Sequence, residues 1–299
     1  MNIQPECYPC ALSQVLEAAR RVNLDTDIQY DLLRKTMEHM LKVSSQTTMP
    51  EVGQFIHRMV RDYSDAHDPY HREKTEFNTR LLDLLPSIRR KVQDSNAPLR
   101  TAIRYAIAGN VIDFAKADAF IDLDGELERA CSNTFAIEDF DHFRERLNSS
   151  ESLVYLGDNA GEIVMDRLLI ETIQSIYDIE ITYVVRGAPV LNDATVEDSE
   201  QVDMSRIVNV ISNGTDAPGT LYNQVSAQVR QLLDSADMIV AKGQGNFESL
   251  SETPLDIFFL FKIKCGAIAD RIGAPVQQYI LANSESVQNR RRSHEHIPC

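Results

Sequence analysis

The sequence has no apolar run long enough to cross a bilayer, and it has few basic residues for its size. Its longest apolar run, Ile257 to Phe261, is far shorter than the roughly 20 residues that a membrane-spanning helix needs. Lysine and arginine number 30 against 45 aspartates and glutamates, a formal charge of -15. Nucleic acids and anionic lipids both attract basic surfaces. We therefore expect neither as a partner, whereas a small phosphorylated ligand stays open because a bound metal can reverse the local field.

Cysteine is also scarce, and the amino-terminal residues lack the basic start and apolar core of a secretion signal. We therefore expect a cytoplasmic protein. The cysteines are odd in number and widely spread, which in a reducing compartment favours free thiols or metal ligands over disulfides. They are Cys7, Cys10, Cys131, Cys265 and Cys299.

Two kinds of hydrophobic pattern divide the 299 residues. Up to residue 108, apolar residues recur at helical spacing, and Thr48 to Glu51 is typical of a helix start with an early proline. After about residue 150, short apolar runs alternate with helical stretches, which predicts a mostly parallel sheet covered on both faces. The predicted strands are 153–156, 181–185, 207–211, 238–240 and 257–263.

The expected architecture is therefore an α/β protein with a three-layer α/β/α core and an added helical region. We assign residues 1–108 to the helical region and residues 109–285 to an α/β domain that binds a metal and a phosphate. We expect residues 286–299 to be a polar, disordered tail.

The chemistry is expected where the predicted strands end, because ligands of open α/β sheets bind beyond the carboxyl ends of the strands. Asp158, Asn159 and Asp193 offer hard oxygen ligands for a divalent cation. Lys242 and Arg186 offer positive charge for phosphate oxygens. The glycine-rich segment after Lys242 offers backbone N–H groups, with a helix start behind them. Each cluster alone is equally typical of a turn or a helix cap.

These strand ends also carry a resemblance to a known family. The motifs Gly157-Asp158-Asn159-Ala160-Gly161-Glu162, Arg186-Gly187-Ala188-Pro189 with Asn192-Asp193, and Lys242-Gly243-Gln244-Gly245-Asn246 resemble signatures of the damage-control phosphatase family. Asp68-Pro69-Tyr70 with Lys74 and Asn78, and Gly109-Asn110-Val111-Ile112-Asp113, are further matches. The pair Cys7 and Cys10 is similar to the prokaryotic branch of that family, which bears an amino-terminal Cys-x-x-Cys.

The resemblance implies a metal-dependent phosphatase that acts on sugar phosphates, nucleotides or damaged phosphometabolites, with Mn²⁺, Co²⁺, Ni²⁺ or Mg²⁺ as cofactor. It implies that Asp158, Asn159 and Asp193 bind the metal and that Asp158, Asp193 and Lys242 serve catalysis. The substrate-binding residues expected from the resemblance and from the strand ends are Lys242, Arg186, Asn110, Asp113, Gly243, Asn246, Asp68 and Lys74. We expect a metal-activated water as nucleophile, although direct attack by Asp158 stays open.

Three other functions are compatible with the sequence. Asp122 and Asp124 follow a short apolar run, as in phosphatases of the haloacid-dehalogenase type, although an acidic helix start gives the same pattern. The glycine-rich loop also suits a phosphometabolite-binding protein without turnover. A carboxyl methyltransferase that uses S-adenosylmethionine is suggested only by the historical name of an animal member of the family.

The Cys-x-x-Cys pair also has more than one interpretation. Cys7 and Cys10 form half of a zinc site, which Cys265 would extend if the fold brings it close. The pair could instead be redox-active. Simple packing of Cys10 on the first helix explains the spacing equally well.

Overall fold

The structure is a computed structural model that describes residues 1–64, 67–109 and 123–295. Its first part is helical, as the apolar spacing predicts. Helix α3 begins at a capping box, in which the Thr48 N–H donates to Glu51 Oε2 at 2.7 Å. The helices of this region are α1 (Cys7–Arg21), α2 (Thr26–Met40), α3 (Met49–Arg61), α4 (His71–Gln93) and α5 (Pro98–Ala108).

The remainder alternates strands with helices. Its strands are β1 (Phe135–Glu138), β2 (Ser152–Leu156), β3 (Glu180–Val185), β4 (Asn209–Ser212), β5 (Met238–Lys242), β6 (Ile257–Lys262) and β7 (Tyr279–Asn283). Its helices are α6 (Leu123–Cys131), α7 (Phe140–Ser149), α8 (Glu162–Gln174), α9 (Val196–Gln201), α10 (Ala227–Ser235), α11 (Gly243–Leu250), α12 (Gly266–Ile272) and α13 (Ser284–Glu295).

The seven strands form one sheet in the order β1-β7-β6-β5-β2-β3-β4. All neighbouring strands are parallel except β6 and β7, which are antiparallel. The carboxyl ends of β2, β3, β5 and β6 therefore meet at one edge. This confirms the predicted α/β class with a mostly parallel sheet.

Both faces of the sheet are covered, because successive side chains of a strand point to opposite faces. On β5, Val240 belongs to the core beneath α5 and α8, whereas Ala241 belongs to the core beneath α11 and α12. A separate apolar cluster, which includes Val15, Leu32 and Ile56, holds α1, α2 and α3 together. The fold thus has three layers plus a helical region with its own small core.

An ionic contact joins the helical region to the sheet edge. Asp216, in the loop after β4, accepts hydrogen bonds from Gln54 and from the guanidinium groups of Arg58 and Arg61 on α3. Burial raises the pKa of the Asp216 carboxyl, but these donors outweigh it and lower the pKa below its usual range. The contact holds α3 over the edge where the strands end.

Two details, the extra strands and the end of the chain, differ from the sequence prediction. Strands β1 and β7 were not expected, and they lie at one side of the sheet beside β6. The segment from residue 286, expected to be a disordered tail, instead continues as α13 as far as Glu295. Among the described residues, no helix has the length and apolar character that a bilayer crossing requires.

Candidate active site

Two loops at the carboxyl edge bring the predicted metal ligands together. Asp158 and Asn159 follow β2, and Asp193 lies in the loop after β3. The loops pair through their backbones: Asn159 forms an isolated bridge with Asp193, and the Ala194 N–H donates to the Asp158 carbonyl at 2.8 Å. All three predicted ligands line one large cavity. The parallel sheet therefore places two carboxylates and one amide side by side, as their strand-end positions predict.

Arg186, at the end of β3, connects the two carboxylates. Its Nε donates to Asp193 Oδ2 at 2.6 Å, and its Nη2 donates to Asp158 Oδ1 at 3.3 Å. The side chain is only 2% exposed, and Nη1 contacts Thr220 and Asn246 at 3.5 Å. In this arrangement the Arg186 donors contact the protein, where they orient the carboxylates, and the expectation that Arg186 binds a substrate phosphate stays a prediction.

Lys242, at the end of β5, also lies behind the cavity. Its ammonium is fully buried and donates to Glu162 Oε1 and Asp166 Oδ1, both at 2.6 Å, and to the Ala106 carbonyl at 2.8 Å. An ammonium has three donors, so these acceptors use all of them. Lys242 therefore contacts the protein in this arrangement, and its expected contact with a substrate phosphate stays a prediction.

The acceptors of Lys242 form a buried acidic pair that the sequence analysis did not single out. Glu162 and Asp166 lie one turn apart on α8, and Asp166 also accepts hydrogen bonds from Tyr155 at 2.8 Å and Tyr183 at 2.9 Å. Burial raises the pKa of both carboxyl groups, although Lys242 opposes the rise. Their i, i+4 spacing beside the Asp158 motif was the available signal, because it places two carboxylates on one face of a helix.

Charge is unbalanced around the predicted ligands. The buried groups here comprise four carboxyls (Asp158, Glu162, Asp166 and Asp193) and two cations (Arg186 and Lys242). With all four carboxyls ionised, two negative charges are left over. Burial raises the pKa of the Asp193 carboxyl, and Asp158 adds to that rise against the opposing effect of Arg186. Hard oxygen donors with a surplus of two negative charges suit a divalent cation.

Gly243 and Asn246 begin α11 beside the loop that carries Asp158. Gly243 has a positive φ of 78°, and a Cβ on this residue would overlap the Asp158 carboxylate. Asn246 is fully buried; its amide donates to the Gly157 carbonyl at 3.0 Å and to the Lys242 carbonyl at 2.7 Å. Asn246 therefore connects β5 with the Asp158 loop, and the expectation that Gly243 and Asn246 bind substrate stays a prediction.

The expected pair from the helical region, Asp68 and Lys74, forms a buried ionic chain. Lys74 Nζ lies 3.0 Å from Asp68 Oδ2 and 2.7 Å from Asp198 Oδ2. Burial lowers the pKa of Lys74, but the two carboxylates outweigh it and raise the pKa. Asp198 also accepts a hydrogen bond from the Thr195 N–H at 2.9 Å, just after Asp193. The chain therefore supports the Asp193 loop, and the expected substrate contact of Asp68 and Lys74 stays a prediction.

A cavity of about 1200 Å³ lies between the helical region and the sheet edge. Arg21 contributes to its wall, with the guanidinium 4.3 Å from the Tyr70 ring centroid and 2.5 Å from Glu73 Oε1. Asp158, Asn159 and Asp193 line it from the sheet side, and Gln244 and Gly245 line it from the first turn of α11. The space is large enough for a small phosphorylated metabolite.

The three cysteines of the predicted auxiliary site also line this cavity. Cys7 is buried, whereas Cys10 and Cys265 are exposed, and all three are free thiols. Burial raises the pKa of Cys7 and of Cys10, and Glu248 adds to both effects. Among residues 1–64, 67–109 and 123–295, no group of three His, Cys, Asp or Glu residues is placed to hold a metal ion. The thiols do not form the predicted three-thiolate site in this arrangement, and a redox role stays a prediction.

Some predicted residues lie outside the described part of the chain. Asn110 and Asp113, expected near the metal or the substrate, belong to this group, as does Asp122 of the competing phosphatase pattern. Asp124 lies in α6, but its side chain is not described. The roles assigned to these residues therefore stay predictions.

Comparison with known proteins extends the sequence resemblance. The chain matches the family model described as the damage-control phosphatase ARMT1-like domain over residues 3–280. An uncharacterised protein of Methanocaldococcus jannaschii is 35% identical over 94% of this chain and 95% of its own length. A damage-control phosphatase of Archaeoglobus fulgidus is 34% identical over 92% of this chain and 97% of its own length.

A solved structure agrees with these matches. The crystal structure of a DUF89 family protein from Pyrococcus horikoshii has a TM-score of 0.84 and 30% sequence identity, and the match covers 95% of this chain and 99% of that one. The similarity thus extends over both the helical region and the sheet. The chain belongs to the damage-control phosphatase ARMT1-like family.

Proposed function

We propose that this protein is a metal-dependent phosphatase that hydrolyses phosphate esters of small metabolites. The substrates we propose are sugar phosphates, nucleotides or damaged phosphometabolites. Two of the relatives, from Pyrococcus horikoshii and Archaeoglobus fulgidus, are named damage-control phosphatases. The proposal rests on one observation: Asp158, Asn159 and Asp193 lie together at the wall of one large cavity.

The donor set supports a divalent metal ion at this wall. Asp158, Asn159 and Asp193 would hold it through side-chain oxygens, which Mg²⁺ and Mn²⁺ prefer and which Co²⁺ and Ni²⁺ also accept. The ion would balance the two surplus negative charges of the buried cluster. It would supply a Lewis acid for a phosphoryl oxygen and would lower the pKa of a bound water.

The chain itself supplies the surroundings of the phosphate. The first turn of α11 has backbone N–H groups without intrahelical acceptors, and Gln244 and Gly245 of that turn line the cavity beside Asp158. Phosphate oxygens are stabilised at such a helix start, where N–H groups and the helix dipole act together. We therefore propose that α11 takes over the role first expected of Lys242 and Arg186.

Arg186 and Lys242 act indirectly in this proposal. Arg186 fixes the orientation of both Asp158 and Asp193 through direct hydrogen bonds. Lys242 fixes Glu162, whose Oε2 lies 3.4 Å from the Asn159 amide nitrogen. Ligands held in this way lose little freedom when they bind an ion, which strengthens the site.

Asp158 and Asp193 are the carboxylates of the proposed metal site, and both line the cavity. We propose that one of them orients an attacking water, which gives free phosphate in a single displacement. Attack by Asp158 itself would instead give an aspartyl-phosphate. Rapid quenching of a reaction with labelled substrate distinguishes the two, because only the second leaves label on the protein.

The test of the proposed function is a phosphate-release screen over phosphorylated metabolites, with Mn²⁺, Co²⁺, Ni²⁺ and Mg²⁺ in turn. We expect release with at least one ester, and its loss in the Asp158→Ala variant. The control is Asp141→Ala, because the Asp141 side chain is 83% exposed on α7.

Other results of this screen would point elsewhere. Binding of phosphometabolites without release of phosphate would indicate the non-catalytic binding protein. Appearance of demethylated S-adenosylmethionine product would indicate the methyltransferase. Activity that survives Asp158→Ala but is lost in Asp122→Asn would indicate the haloacid-dehalogenase type of site.

A further inference from the structure

The far wall of the cavity contains polar groups that the proposed hydrolysis does not use. Lys262 is the last residue of β6, and Tyr279 is the first residue of β7. The two are directly paired across the antiparallel strands, so their side chains share one face of the sheet. Both line the same cavity as Asp158 and Asp193.

Tyr279 has an unusual hydroxyl group. The side chain is fully buried, yet its OH has no hydrogen-bond partner among the described residues. A buried hydroxyl without a partner is rare, because it loses its hydrogen bonds to water and gains none in return. A ligand oxygen in the cavity would restore the missing bond.

Lys262 supplies positive charge at the same place. In the described part of the chain, its ammonium has no hydrogen-bond or ion-pair partner. Burial lowers its pKa, and Lys264 lowers it further, with no carboxylate to oppose them. Lys264 follows two residues later and also lines the cavity. Two lysines therefore lie at this wall, with Glu248 near Lys264, in contrast to the acidic wall at Asp158.

The strand order fixes the spacing between the two walls. Strand β6 is two strands away from β2, with β5 between them. Neighbouring strands lie about 4.8 Å apart, so the strand that ends in Lys262 is about 10 Å from the strand that leads to Asp158. A metabolite with two anionic groups spans such a distance.

We propose that Lys262 and Tyr279, with Lys264 beside them, form a subsite for a second anionic group of the substrate. The preferred substrates are then phosphate esters that carry another phosphate or a carboxylate about 10 Å from the scissile group. This inference rests on the proposed function, since it assigns the second end of the molecule whose first end is hydrolysed. Lys262 donates charge-assisted hydrogen bonds to the anion, and the Tyr279 hydroxyl donates a further one.

The test measures binding rather than turnover. Calorimetry of the full chain with Mn²⁺ compares a hexane-linked diphosphonate, phosphonoheptanoate and hexylphosphonate, which differ only in the second end group. We expect at least one doubly acidic probe to bind about tenfold more tightly than hexylphosphonate, as one charge-assisted interaction allows. Which acid binds more tightly distinguishes a phosphate subsite from a carboxylate subsite.

Two conservative substitutions test which side chains cause the preference for doubly acidic probes. Lys262→Met keeps the side-chain length and removes the charge, and we expect it to abolish the preference for the doubly acidic probe. Tyr279→Phe removes only the unpartnered hydroxyl, and we expect it to reduce that preference about threefold. The control is Lys35→Met, because Lys35 forms a surface pair with Asp31 on α2. Hexylphosphonate should bind equally well to all four proteins.

The proposal is overturned if the wild-type protein binds all three probes alike, or if Lys262→Met weakens all of them to the same extent. Failure of the proposed function looks different. A protein that releases phosphate from no ester and still prefers the doubly acidic probes would retain the subsite without the hydrolysis. A protein that hydrolyses esters without that preference would retain only the hydrolysis.

Discussion

The Cα of Gly243 faces the Asp158 carboxylate so closely that residue 243 has no room for a side chain. The backbone of Gly243 also has a φ of 78°, which glycine adopts without strain. Residue 243, where β5 passes into α11, must therefore be glycine for two reasons: a Cβ has no space, and the backbone has a positive φ. The start of that helix and the Asp158 loop are packed as one unit, which fixes the position of a proposed metal ligand.

Replacing Gly243 by alanine tests this relationship. The added Cβ must displace Asp158 or the first turn of α11, and a misplacement of about 1 Å can reduce an enzymatic rate about 100-fold. We therefore expect phosphate release to fall by about that factor. Gly266→Ala is the matched control, since a Cβ at residue 266 has no neighbour within 4 Å. Equal activity in the two variants would contradict the packing argument.

Replacing Lys242 by methionine distinguishes a supporting role from a phosphate-binding role. The ammonium holds Glu162 and Asp166 in a buried site, and removing one partner of a buried ionic group destabilises a protein by about 3–5 kcal/mol. We expect urea denaturation to show a loss of that order. The exposed Lys35 in the same substitution should change stability little. An unchanged stability with a raised KM would instead restore direct contact between Lys242 and the substrate.

His57, on α3, makes stability depend on pH. Burial lowers the pKa of its imidazole to about 4, Arg61 adds to this effect and Asp216 opposes it. The neutral ring accepts a hydrogen bond from the Gln14 amide at 3.4 Å. Between pH 6.5 and 4 the unfolded chain binds this proton more readily, so the contribution of His57 to the free energy of unfolding falls as the pH falls, by about 3 kcal/mol across the window.

Denaturant unfolding at several pH values measures this effect. The His57→Gln variant should lose the part of the dependence that His57 causes between pH 6.5 and 4, whereas the buried carboxyls with raised pKa values, such as Glu162 and Asp193, contribute with the opposite sign in both proteins. Nuclear magnetic resonance should show a neutral His57 ring at pH 5 in the folded protein. A ring that is protonated at pH 6 would contradict the burial argument.

The sequence predicted which residues meet at the sheet edge better than it predicted where the side chains at the strand ends point. Asp158, Asn159 and Asp193 were predicted correctly to meet, because they follow parallel strands whose carboxyl ends must lie together. Lys242 is the last residue of β5 and Arg186 directly follows β3, so the alternation along each strand decides which face these side chains take. Lys242 shares its face with Met238 and Val240. A strand that is covered on both faces of the sheet is apolar throughout. Its sequence therefore does not show which face of the sheet the Lys242 side chain takes.

The missed strands have a related cause. Strand β7 returns antiparallel to β6, and it pairs with β1, which is only four residues long. Both strands alternate with helices along the chain, but β1 is short and β7 reverses the direction of its neighbour β6. The unpartnered Tyr279 hydroxyl at the start of β7 was equally hidden, because a missing hydrogen bond is a property of the folded neighbours and has no sequence signal.

The most direct test of the account is calorimetric titration of the apo protein with Mn²⁺, beside the Asp158→Asn, Asp193→Asn and Asp141→Asn variants. We expect one ion per wild-type chain. We also expect at least about tenfold weaker binding in the first two variants, because each loses a charged oxygen ligand, and unchanged binding in the third. Wild-type affinity in Asp158→Asn and Asp193→Asn, or no binding of any divalent ion to the wild-type protein, would contradict the proposed metal centre.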